Sequence, residues 1–117
     1  MTDYKELDVW KFSVELAVDI YNLTQSFPKQ EAYALTDQMR RASVSISSNI
    51  AEGSGRASKK DFAHFVDIAI SSARELETQL VIATRVDYLD EKSLYPIVDE
   101  INRVLKMLHK LRSYLRG

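Results

Sequence analysis

The sequence predicts an all-α protein: an antiparallel, up-down-up-down four-helix bundle built as one domain over residues 1–117. Three observations predict it. Apolar residues recur at three- and four-residue spacing in four separate stretches, the period of a helix with one buried face. Only 3 Gly and 2 Pro punctuate the chain, so elements are few and long. The links between stretches are short, which makes consecutive helices antiparallel neighbours. A chain of 117 residues with 45% hydrophobic content can fill one core and is too short for two.

The first helix is expected from about Asp8, as N-cap, to about Ser26. Val9, Phe12, Leu16, Ile20, Leu23 and Phe27 share one face. Trp10, Val14, Ala17 and Tyr21 form a second apolar stripe, so the apolar arc spans roughly 200°, wider than one bundle contact needs. This second stripe either faces another copy of the protein or consists of large half-exposed residues. Phe27-Pro28 ends the helix, because the residue before proline is pushed out of the helical region.

The second helix is expected to start between Gln30 and Tyr33 and to run to about Glu52, with Gly53 as a left-handed C-terminal residue. Leu35, Met39, Ala42, Ile46 and Ile50 make its apolar stripe. Beside them runs a polar row, Gln38, Arg41, Ser45, Asn49 and Glu52. Small neighbours such as Ser43, Ser47, Ser48 and Ala51 favour a close helix contact and a buried hydrogen-bonded ladder rather than a solvated flank.

Ser58 to Asp61 reads as a capping box for a third helix reaching about Val86. Phe62, Phe65, Val66, Ala69, Ala73, Leu76, Leu80 and Ala83 make its main stripe. Glu75 falls among the apolar residues Ile68, Ile82 and Val86, and a buried carboxylate requires a partner. Arg41 is the expected partner, the alternative being that Glu75 reaches water along the edge of the stripe. After a turn at 87–90 the fourth helix starts between Asp90 and Ser93, with Pro96 in its first turns or at a kink. Ile97, Ile101, Val104, Leu105, Leu108, Leu111 and Leu115 face inward, and Arg103, Lys106 and Lys110 face solvent.

No motif carries catalysis. Gly53-Ser54-Gly55 lacks both the Gly-Lys-Ser continuation and the preceding strand of a phosphate loop. His64 and His109 have no metal-ligand spacing, and His64 with Asp67 is one weak pair. The serines of the second helix have no visible base, so small-residue packing explains them better. The expectation is a non-enzyme with no cofactor and no metal. The absence of cysteine, of a signal-like N-terminus and of an apolar run of membrane length points to a cytoplasmic protein.

The net charge of −1 hides an asymmetry. Residues 1–37 carry three lysines against seven acids, whereas residues 101–117 carry five cations and no acid. Such a distribution marks either a polyanion-binding surface or a helix whose basic end suits its own dipole. Arg103, Lys106 and Lys110, with Arg56, Lys59 and Lys60, are the candidate contacts for RNA or DNA, above all if repeated around an oligomer. No aromatic residues alternate with these cations in sequence, so base stacking is not expected.

The pattern Leu7-x-Val9-Trp10, Phe27-Pro28-x-x-Glu31-x-Tyr33-x-Leu35, Gln38-Met39-Arg40-Arg41-Ala42-x-x-Ser45-Ile46, Asn49-Ile50-Ala51-Glu52-Gly53 and Glu75-Leu76-Glu77-Thr78-Gln79-Leu80 resembles the bacterial four helix bundle proteins named for open reading frames in intervening sequences of 23S ribosomal RNA genes. The resemblance spans nearly the whole chain. It implies a four-helix bundle that assembles as a homopentamer. It also implies kinship with the accessory variability protein of diversity-generating retroelements, a basic pentameric barrel that binds nucleic acid and a reverse transcriptase. The charge of −1 departs from that basic relative. Two functions follow as expectations: an oligomeric scaffold contacting RNA, DNA or an enzyme acting on them, or a protein-interaction module, toxin–antitoxin-like or an assembly scaffold, with no nucleic-acid contact.

Overall fold

The computed structural model describes residues 3–31 and 33–117. Four helices carry the fold: α1 (Asp8–Thr24), α2 (Leu35–Ser54), α3 (Lys59–Arg85) and α4 (Glu91–Arg116), with 3-10 turns at Tyr4–Glu6 and Lys29–Glu31 and no strand among the described residues. At about 1.5 Å per residue the 27 residues of α3 reach roughly 40 Å. The molecule measures 43 × 24 × 20 Å, so the bundle is one helix long and two helices wide.

The predicted stripes meet in one core. Leu16 and Ile20 of α1, Met39, Ile46 and Ile50 of α2, Val66, Leu76 and Leu80 of α3, and Ile101, Val104 and Leu108 of α4 are fully or almost fully buried. Phe12 departs from its stripe: it is 38% exposed, and Arg103 of α4 lies over its ring.

Capping sets most of the boundaries. Ser58 accepts from the Asp61 N–H at 3.1 Å and Asp90 from the Ser93 N–H at 2.8 Å, so α3 and α4 start where the sequence places them. Asp8 is the first helical residue rather than the cap; Leu7 precedes it and offers no side-chain bond. The first helix closes at Thr24, two residues early, where the Thr24 hydroxyl donates back to the Ile20 carbonyl. The second helix starts late, at Leu35, because the chain first makes the Lys29–Glu31 turn and Glu31 then accepts from the Leu35 N–H. Pro96 sits at the sixth position of α4.

Gly53 corrects the sequence reading. It is buried inside α2, which runs one residue further, and no described glycine has positive φ. A Cβ at Gly53 would stand 2.7 Å from Phe65 Cβ and 2.8 Å from Phe62 Cδ1. Gly53 is there so that α2 and α3 can touch, not to turn the chain. The left-handed residue is Asp87, φ 66, at the end of α3. Around it the Asp87 N–H donates to the Thr84 carbonyl and the Tyr88 N–H to the Ala83 carbonyl, the paired bonds of a Schellman motif.

The buried polar ladder does not form within the chain. Ser45 and Asn49 are half-buried: the Ser45 and Ser72 hydroxyls are 2.8 Å apart across the α2–α3 groove, and the Asn49 amide donates to Ser45. Gln38, Arg41, Glu52 and Glu75 are exposed. Arg41 and Glu75 do not pair: Arg41 approaches only Asp37, at 4.0 Å, and Glu75 accepts from Gln79 on its own helix. The stripe that holds Glu75 explains the failure. Ile68, Ile82 and Val86 are themselves 37–48% exposed, so the arc read as buried is the outer lip of the groove.

Candidate nucleic-acid interface

Antiparallel packing brings the start of α3 beside the end of α4. Lys59 Nζ lies 4.9 Å from the centre of the Tyr114 ring, and Asp67 of α3 contacts both Arg112 and Arg116 of α4. One end of the bundle therefore gathers Arg56, Lys59 and Lys60 from the α2–α3 side and Lys110, Arg112 and Arg116 from α4. Lys106 and Arg103 continue the row along α4, about 6 and 10 Å before Lys110.

These cations are not equivalent. Arg112 Nε stands 2.6 Å from Asp67 Oδ1 without aiming its N–H at that oxygen, an ion pair rather than an aligned hydrogen bond. Arg116 also donates to Asp67, so this half-buried carboxylate offsets part of two charges. Asp67 thus serves as an ion-pair partner, a role the pairing with His64 in sequence did not suggest. Arg56 donates to Glu52 at 2.7 Å and stacks on Phe65, 4.7 Å from the ring centre. Lys59, Lys60, Arg103, Lys106 and Lys110 take part in none of the ion pairs among the described residues. All five are exposed.

Folding supplies the aromatic component that the sequence lacks. Three of the six candidate cations lie over rings contributed by a different stretch of chain: Lys59 over Tyr114, Arg56 over Phe65 and Arg103 over Phe12. Tyr114 is 68% exposed. Sequence proximity could not reveal these pairs, because Lys59 and Tyr114 meet only when α3 and α4 run antiparallel.

Two cavities open at this end. One, of about 270 Å³, runs between Leu7, Phe62, Leu111 and Tyr114 with Arg56 and Lys59 at its edge. The other, of about 390 Å³, meets it along Leu7, Leu111 and Tyr114 and extends past Met107, Lys110 and Asp8. A third hollow, of about 560 Å³, lies beside Lys60, His64 and Arg116.

The seam between α1 and α4 is acidic and lies behind Arg103. Burial pushes the Glu100 carboxyl up to about 7, helped by a hydrogen bond with Asp19 and by the charges of Asp19 and Glu15, with Arg103 acting against them. Asp90 is held below the usual range by the backbone and side chain of Ser93 that it caps.

The expected interface stripe of α1 is used inside the chain in part. Trp10 packs against the core and meets Tyr4 edge to face at 5.3 Å; Val14 and Ala17 are half-buried. Tyr21 is 42% exposed, but the Arg40 guanidinium covers its ring at 4.6 Å. The exposed aliphatic residues are Val18 of α1, Val44 of α2, and Ile68, Val81 and Ile82 of α3, with Val86 just beyond it.

The sequence matches the 23S rRNA-intervening sequence proteins over residues 5–110. The chain belongs to this family. A crystal structure of a protein of unknown function from the S23 ribosomal protein family of Bacteroides thetaiotaomicron VPI-5482 shares 27% identity and superposes with a TM-score of 0.82, covering 90% of this chain and 95% of that one. No curated protein matches the chain significantly. Among the described residues of this family member, no three His, Asp or Glu side chains gather as a metal site, and no helix is long and apolar enough to cross a membrane.

Proposed function

We propose that this protein is a non-enzymatic, oligomeric four-helix scaffold that binds RNA or DNA through the basic end of its bundle and works in the cytoplasm. The single observation that carries the reading is the convergence of Lys59, Lys60, Lys106 and Lys110, all exposed and outside the ion pairs above, on one end and one helix face. Free exposed cations bind phosphates by releasing condensed counterions, whereas cations already paired with carboxylates contribute less. Membership of a family described by 23S rRNA intervening sequences is consistent with a nucleic-acid context. So is the kinship with the accessory variability protein of diversity-generating retroelements that the resemblance implies, which also suggests a pentamer.

The oligomeric part rests on the outer α2–α3 face. Ile68, Ile82 and Val86 line one edge there, with the unpaired Glu75 among them and the exposed Arg41 across the groove. A second copy covering this face would bury the apolar side chains and give Glu75 an opposite charge to pair with. The same exposed strip favours the rival reading, a protein-interaction module without nucleic-acid contact, if a different protein covers it. Titration of labelled single-stranded RNA and DNA at about 50 and 200 mM salt separates the two. Several phosphate contacts predict a fall in affinity by orders of magnitude between these salts. Absence of binding at the lower salt leaves the protein-interaction module.

A further inference from the structure

The groove beneath Tyr114 has a composition that phosphate binding alone does not explain. Its floor is apolar: Leu7 from the segment before α1, Phe62 from α3, and Met107 and Leu111 from α4. Tyr114 stands at the meeting line of the two cavities, more than two-thirds exposed, with Lys59 Nζ over its ring. Cations flank the groove on both sides, Arg56 and Lys59 at one end and Lys110 at the other, with Asp8 the acid that lines it. A flat apolar group carrying negative charge on either side matches this arrangement. The bases of single-stranded nucleic acid have that form, each a π-face between two phosphates, and protein aromatic rings with nearby cations are how they are held. A duplex keeps its bases stacked and would meet only the rim.

Resting on the reading that the basic end binds nucleic acid, we propose that the groove bounded by Leu7, Leu111 and Tyr114 takes one unstacked base of single-stranded RNA or DNA, with the flanking phosphates on Lys59 and Lys110. The selection is for single strands over duplexes and for strands with bases over strands without them. A second copy of the chain is the competing occupant, and the experiment separates it.

The test compares a labelled 12-nucleotide strand with an abasic strand of the same phosphate number, by anisotropy at low salt, for the wild type, Tyr114→Ala and Tyr114→Phe. The side chain is largely exposed, so both variants are expected to fold; circular dichroism checks this. Wild type should bind the base-bearing strand about tenfold more tightly than the abasic one, within the range of a single aromatic–base stack. Tyr114→Ala should abolish that preference, and Tyr114→Phe should retain it. Equal binding of both strands by wild type overturns the base pocket while the phosphate-binding reading stands. Binding of neither strand overturns both. A lower solution mass for Tyr114→Ala assigns the groove to contact between copies and overturns the proposal.

Discussion

Replacing Gly53 by alanine probes the closest approach in the bundle. In a helix interior the change is favourable by itself, by about 1 kcal/mol. Against it stands the space: the new Cβ would lie 2.7 Å from Phe65 Cβ, where two carbons normally rest about 3.5–4.0 Å apart. The Phe62 ring, at 2.8 Å, can rotate away. The Phe65 Cβ cannot, because it is fixed to the α3 backbone, so the two helices must separate locally by roughly 1 Å. Overpacking of this kind costs about 1–3 kcal/mol, with an anchored atom at the upper end, giving a net loss of about 1–2 kcal/mol. Gly55→Ala is the internal control. Its nearest neighbour is the Glu52 carbonyl at 3.6 Å and its φ is −85, which alanine adopts freely. That change should stabilise by about 0.4–1 kcal/mol through the unfolded chain. Urea denaturation followed by circular dichroism, at one fixed protein concentration, reads both. If the two variants shift the midpoint in the same direction, Gly53 does not mark a close helix contact and the argument fails.

Three further predictions follow from local features. Asp87→Gly should raise stability by about 0.5–1 kcal/mol, since it removes a Cβ from a left-handed position; no gain in denaturation midpoint would contradict the Schellman geometry. Glu100 has a folded value of about 7, above its ordinary 4.5, so the native state holds the extra proton and stability falls as pH rises from about 4.5 through 7. Glu100→Gln should therefore stabilise at pH 8 relative to wild type by on the order of 1 kcal/mol, after allowing for solvent screening, with little gain at pH 4; an equal effect at both pH values would refute the acidic seam. Ile68→Glu combined with Ile82→Glu should lower the mass measured by sedimentation while helicity persists; an unchanged mass would place the contact between copies elsewhere.

The helices and their core faces were readable in the sequence because apolar periodicity and side-chain caps are local signals. Ser58 and Asp90 mark their helix starts within three residues of chain, and the buried stripes of α2, α3 and α4 follow from spacing alone. Gly53 was misread because a glycine after a helical run has two explanations, a left-handed turn or a close neighbour. Only the position of Phe65 on another helix decides between them. Pairing Arg41 with Glu75 presumes that an acid within an apolar arc is buried, whereas Glu75 takes the other course open to it and reaches water along the edge of the stripe. The arc of α3 is wider than its contact with the bundle, and the excess lies at the surface. The aromatic partners of Lys59 and Arg103 were invisible for a related reason: each cation and its ring come from distant stretches that meet only through helix packing.

The most direct test of the basic end as the binding surface is charge reversal at two places. Lys59→Glu with Lys110→Glu changes the end of the bundle, and Arg41→Glu changes the outer α2–α3 face, where Arg41 is equally open to solvent. Binding of labelled single-stranded RNA is then measured for each at about 50 mM salt. The account predicts that the double variant loses at least tenfold in affinity and shows a shallower salt dependence by about two contacts, while Arg41→Glu binds nearly as wild type. Retained binding in the double variant, with loss in Arg41→Glu, would move the interface to the α2–α3 face and contradict the account.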